Sequence, residues 1–250
     1  MVLLNGEAVV ELIRSRVLAL LGDEVVGIYL FGSLATGDFD PGVSDGDLLV
    51  VTAADLTTET FSALQHLHEG LVDADPGFRD RIEVIYLGAA ALRDFQTVRS
   101  PLTVISPGEP LHTVEAGREW LVNWYNVGQH GRRLSGPPAA EVVPVMTVEE
   151  LRAELREQLA GWPGRIRSNR APGFLAYASL TVGRAWHTIA DGTVYSKASS
   201  ASWVAAQVPE WAGLIDAAVA VRLRGPGGGF IDPVVVARFI DEVAGVGRLR

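Results

Sequence analysis

The sequence predicts an α+β protein, with strands and flanking helices in its first part and an all-α helical bundle after it. Two observations carry this reading. Short apolar runs at 28–31, 48–51 and 82–87 are bounded by turn-forming residues and lie among stretches of helical periodicity. Beyond residue 114 such runs stop and only helical spacing remains.

Val9, Val10, Leu12, Ile13, Val17, Leu20 and Leu21 recur at helical spacing with Glu11, Arg14 and Arg16 between them, which predicts an amphipathic helix ending near Gly22. It would cover a sheet that begins at Val25. After the first two strands, 57–72 reads as a helix capped by Thr57 or Thr58, with Phe61, Leu64, Leu67 and Leu71 on one face. The third strand, 82–87, carries Glu83 among Ile82, Val84 and Ile85. Between 88 and 115, Pro101, Pro107 and Pro110 interrupt any period, so the connection between two domains, 1–110 and 111–250, is placed there. Helices are then expected over 114–134, 147–162, 174–189, 196–208, 211–223 and 232–246, the second opened by the capping-box sequence Thr147-Val148-Glu149-Glu150. A glycine-rich run from Gly225 reads as a flexible connector.

Composition narrows the function. The chain has no cysteine, which excludes a disulfide framework, a thiolate metal site and a thiol nucleophile. The first residues lack a basic start followed by a long apolar run, and no window of about 18 apolar residues exists, so a soluble cytoplasmic protein is expected. A net charge of −9 argues against a polynucleotide partner, whose phosphates are bound through surplus Lys and Arg, and is compatible with a small cationic one.

The chemistry lies where the first strands end. Gly32 and Ser33 follow the run 28–31, and Asp45 and Asp47 precede the run 48–51. Residues two apart in a strand share a face, so both carboxylates would point to one side of the sheet. Carboxylates that close repel each other unless a cation lies between them, and an oxygen-only set suits Mg²⁺ together with nucleotide phosphates. A glycine beside a hydroxyl lets a phosphate approach the main chain. Asp38, Asp40, Asp45 and Asp47 also fit an acidic turn, and Glu83 also fits an ion pair with Arg79 or Arg81. The alternative for Glu83 is that it faces the two aspartates from the neighbouring strand, completing a triad in which it serves as a proton acceptor. His66 and His68 are two apart on a helix and make a poor metal pair, while Arg165, Arg167 and Arg170 read as a solvated basic loop.

Phe31-Gly32-Ser33, then Ser44-Asp45-Gly46-Asp47-Leu48-Leu49-Val50, then an acid in an apolar strand, resembles the nucleotidyltransferase fold shared with DNA polymerase beta. The segment 180–211, LTVGRAWHTIADGTVYSKASSASWVAAQVPEW, with the Gly-Pro-Pro at Gly136, is similar to the helical C-terminal domain of the streptomycin/spectinomycin adenylyltransferases. The resemblance implies a mixed sheet with flanking helices followed by a helical bundle. It implies transfer of AMP from ATP to a hydroxyl of a small cationic acceptor, held with ATP in the interdomain cleft of a monomer. Asp45, Asp47 and Glu83 would hold Mg²⁺, with Glu83 as the base; Gly32 and Ser33 would contact the triphosphate; Arg184 and Lys197 would reach its phosphates from the second domain. This chain departs from the family pattern at Gly46, at Gly108-Glu109-Pro110, where the antibiotic-modifying members supply a tryptophan, and at Phe174, where they place a drug-contacting aspartate. Two other readings are a nucleotidyltransferase acting on a protein or an RNA end, and a nucleotide-binding homologue without turnover.

Overall fold

The structure, a computed structural model, describes residues 5–74, 81–225 and 229–249. The chain divides into two compact units, Met1–Val145 and Met146–Arg250.

The first unit opens with α1 (Gly6–Leu21), capped by Asn5, whose side chain accepts from the Ala8 N–H. There follow β1 (Val25–Phe31), the short α2 (Gly32–Thr36), β2 (Gly46–Thr52), α3 (Thr58–Ala74), β3 (Ile82–Gly88) and α4 (Ala89–Asp94). Then come β4 (Ser100–Ser106), β5 (Glu109–Ala116), α5 (Leu121–His130), β6 (Arg132–Ser135) and α6 (Ala139–Val142). The six strands form one mixed sheet in the order β5-β4-β3-β2-β1-β6. β2 and β3 run parallel, and the other pairs are antiparallel. A parallel pair needs a crossover, and α3 lies in it. Ile28, Leu30, Leu48, Val50, Ile82, Val84 and Tyr86 alternate onto one face, where they pack with Val9, Val10, Ile13 and Val17 of α1 and Leu64 and Leu71 of α3.

The boundary expected after residue 110 lies instead after Val145. β5 and β6 add a strand to each edge of the sheet, so the chain up to 135 belongs to the first unit. The helix expected over 114–134 is correspondingly broken into the end of β5, a single 3₁₀ turn, α5 and β6. The turn between β4 and β5 uses Gly108 at φ 82°, a left-handed conformation that glycine adopts without strain.

The second unit consists of α7 (Val148–Ser168), α8 (Pro172–Asp191), α9 (Lys197–Gln207), α10 (Ala212–Arg224) and α11 (Pro233–Leu249). The capping box at Thr147 is present in both directions, with Thr147 Oγ1 accepting from the Glu150 N–H at 3.1 Å and Glu150 accepting from the Thr147 N–H at 2.7 Å. α8 is central and touches each of the other four helices. Its buried Ala176, Ala178, Ser179 and Gly183 keep that close approach open: a Cβ on Gly183 would come within 3.3 Å of Val204 on α9. The glycine run at 225–229 lies partly outside the described residues.

Candidate active site

β2 and β3 place the acids. Their parallel register sets Asp47 beside Glu83, with Gly46 beside Ile82 and Leu48 beside Val84. Asp47 and Glu83 therefore alternate away from the α1/α3 face. Gly46 points the other way: a Cβ there would meet Val10 of α1 at 3.4 Å. Asp45, one position before the strand, shares the outward side, and one carboxylate oxygen from each of Asp45, Asp47 and Glu83 lies within 4.8 Å of the other two. All three are half-buried.

The loop ahead of Asp45 is tied down by Arg81. Its guanidinium donates to the carbonyls of Ser44 (2.6 and 2.9 Å), Pro41 (3.0 Å) and Gly42 (3.3 Å). Asp40 completes the turn, its carboxylate accepting from the Gly42 N–H at 2.7 Å while its own N–H donates to Ser44 Oγ at 3.0 Å. Asp40 is thus the turn former that an acidic loop predicts, whereas Asp45 and Asp47 are not. An ion pair with Glu83 is the alternative task the sequence allows Arg81, and its four bonds go to the loop instead. The other expected partner, Arg79, lies outside the described residues. The cue for Arg81 in the sequence is only its place two residues before Glu83, since its target is backbone.

Gly32 ends β1 against this cluster. Its φ is 68°, and a Cβ at this position would overlap the Asp47 carboxylate. Neither the conformation nor the space admits a side chain. Ser33 follows, with a buried Oγ that has no hydrogen-bond partner among the described residues. A buried hydroxyl without a partner is costly, and a ligand oxygen alongside would relieve it.

The donor set fits a hard divalent cation: three carboxylates, no nitrogen or sulfur, closely grouped. It also fits a phosphate chain, with side-chain-free backbone at Gly32 against Asp47 and the spare hydroxyl of Ser33 next in the chain.

Arg184 and Lys197 lie in the second unit, on α8 and at the first position of α9. The Lys197 ammonium rests 4.9 Å from the centre of the Tyr177 ring. Phe174 joins Trp162 and Tyr177 in an aromatic cluster with centroids 5.9–6.4 Å apart. Arg165 belongs to the last turn of α7, where its guanidinium sits 5.1 Å from the Trp162 ring, rather than to a loop. His68 is buried and bonded through Nε2 to the Tyr86 hydroxyl at 2.8 Å, and burial pushes its pKa down to about 4. His66 bonds to the Ser62 carbonyl on its own helix.

Residues 10–87 match a nucleotidyltransferase domain, and residues 141–226 match the C-terminal domain of aminoglycoside adenylyltransferases. The chain belongs to the aminoglycoside adenylyltransferase family. Spectinomycin 9-adenylyltransferase of Campylobacter jejuni is 25% identical over 208 residues, which span 76% of this chain and 75% of that protein. Among solved structures, the spectinomycin adenyltransferase AAD(9) of Enterococcus faecialis with ATP and spectinomycin superposes with a TM-score of 0.73, covering 98% of this chain and all of that one at 17% identity. As in that fold, this adenylyltransferase-family chain combines a mixed sheet and flanking helices with a helical C-terminal region. Among its described residues no helix is long and apolar enough to cross a membrane.

Proposed function

We propose that this chain transfers AMP from ATP to a hydroxyl of an aminoglycoside or aminocyclitol such as spectinomycin or streptomycin, releasing pyrophosphate. The observation that carries the reading is the convergence of Asp45, Asp47 and Glu83 from two parallel strands onto one point, with the Gly32 backbone against Asp47. The names of the relatives support the acceptor class.

Asp45, Asp47 and Glu83 would hold Mg²⁺, which when bound neutralises triphosphate charge and stabilises the charge that develops at the α-phosphorus. Gly32 leaves room for the phosphate chain, and the Ser33 hydroxyl donates to one of its oxygens. Glu83 accepts the proton of the acceptor hydroxyl as its oxygen attacks. Arg184 on α8 and Lys197 on α9 are the proposed cationic ligands of phosphate. Placement and electrostatics then supply most of the rate, as in phosphoryl transfer generally. The reading carries with it a cytoplasmic monomer that confers resistance to the antibiotic it modifies; the absence of cysteine suits a reducing compartment.

The test is pyrophosphate release with ATP, GTP, CTP and UTP against a panel of aminoglycosides and aminocyclitols, with products identified by mass. AMP on spectinomycin or streptomycin is the expected product. Silence across the panel with ATP would overturn the acceptor assignment.

A further inference from the structure

The connection between α8 and α9 is built around a histidine that the proposed chemistry does not use. His187, on α8 one turn beyond Arg184, is buried with its ring between two others. Tyr195 stacks on one face at 4.0 Å and 7° between planes, and Trp203 on the other at 4.4 Å and 11°. Tyr195 lies in the turn, two residues before Lys197, and Trp203 lies on α9, so the imidazole joins the end of one helix, the turn and the next helix.

Polar contacts lock the same turn. The Tyr195 hydroxyl donates to Asp191 Oδ2 at 2.5 Å, and the Thr193 N–H donates to Asp191 Oδ1 at 2.8 Å. His187 Nδ1 lies 3.3 Å from Ser200 Oγ on α9, and Nε2 lies 3.9 Å from Asp191 Oδ2. Trp186, beside His187 in sequence, meets Trp203 edge-on at 5.3 Å. Burial pushes the His187 imidazole below its ordinary pKa, partly opposed by Asp191, which favours a neutral ring able to stack on both sides. A core residue in a helix pair needs none of this. An aliphatic side chain would fill the space, and it would leave the five residues between α8 and α9 without their fixed point.

We propose that the Tyr195–His187–Trp203 stack is the positioning element for Lys197 and Arg184, setting where α9 begins against α8 so that both cations meet a nucleotide's phosphates together. The proposal rests on the reading that Arg184 and Lys197 are phosphate ligands. His187 itself touches no substrate; it acts through Lys197.

The experiment measures the dissociation constant of ATP with Mg²⁺ for the full chain by calorimetry, beside AMP as a ligand with fewer phosphates. His187→Ala is expected to weaken ATP about tenfold and AMP much less, while His187→Phe, which keeps both ring contacts, restores most of the loss. In a Lys197→Ala background, His187→Ala should add less than about twofold, since its effect passes through the missing ammonium. Tyr195→Ala removes one ring from the turn without opening the core and should give the same ATP-selective loss where His187→Ala does not fold. Independent, multiplying effects of His187→Ala and Lys197→Ala, or a drop in Tm with ATP affinity unchanged, would overturn the proposal. If Lys197→Ala binds ATP as tightly as the parent chain, the phosphate-ligand reading itself fails; if Lys197→Ala is weak and the stack variants are normal, only the positioning role fails.

Discussion

Asp47 and Glu83 face each other directly across a parallel strand pair, and the backbone of Gly32 closes the space behind Asp47. A one-residue slip of either strand would carry its acid to the α1/α3 face and disperse the cluster. The apolar alternation of Leu48, Val50, Ile82 and Val84 into that core is what holds the register, so packing on one side of the sheet fixes chemistry on the other.

Asp47→Asn and Glu83→Gln keep size and remove charge. Each should lower AMP transfer by about a hundredfold or more while the circular dichroism spectrum and Tm stay close to the parent values. Turnover within a few-fold of the parent in either variant would remove the central assignment.

Gly32→Ala should be far worse than its size suggests. The φ of 68° costs an L-residue about 1–2 kcal/mol, and the added methyl meets the Asp47 carboxylate. Thermal melts and Mg²⁺-dependent ATP binding should both decline, whereas Gly37→Ala, with open space around it, should affect only the melt.

ATP should raise Tm with Mg²⁺ present and much less in chelator, because the cation joins two anionic partners and binding to the folded state alone stabilises it. Equal protection with and without the ion would show that the three acids do not share a metal with the nucleotide.

Arg81→Lys should not substitute for arginine. The guanidinium spans three carbonyls at once, and a point-like ammonium cannot. A loss of about 2 kcal/mol in stability by denaturant titration, with weaker ATP binding, is expected as the loop carrying Asp45 loosens.

His68 sets an acid limit on stability. Its pKa falls from an ordinary 6.5 to about 4 in the folded chain, so between those values the unfolded state binds the proton and the folded state does not. Stability is complete above about pH 6.5 and declines as pH drops towards 4, by about 3 kcal/mol for this group alone. His68→Gln should flatten that slope in urea titrations across the window; an unchanged slope would assign the acid sensitivity elsewhere.

Much of this was legible beforehand because each feature is encoded locally. The acids lie within a few residues of strand-like runs, and Thr147 caps its helix in the box that the sequence predicts. The edge strands were not legible. β5 alternates weakly, since an edge exposes Glu109, Thr113 and Glu115, and Pro101 and Pro110 resemble loop residues until their positions at the sheet margin are seen. β6 is four residues with two arginines, and only pairing with β1 makes it a strand. The Arg81 anchorage and the His187 stack escaped notice for a related reason: one reads backbone across the fold, and the other joins rings whose partnership depends on how two helices and a turn close together.

The strands contributed by 109–116 and 132–135 bear on how the protein is taken apart in the laboratory. A fragment cut near residue 110 would bare the flanks of β4 and β1, inviting strand addition from neighbouring molecules and precipitation. A fragment ending at Val145 retains its own margins, and it is the piece on which cation binding by Asp45, Asp47 and Glu83 can be measured apart from the helices that follow.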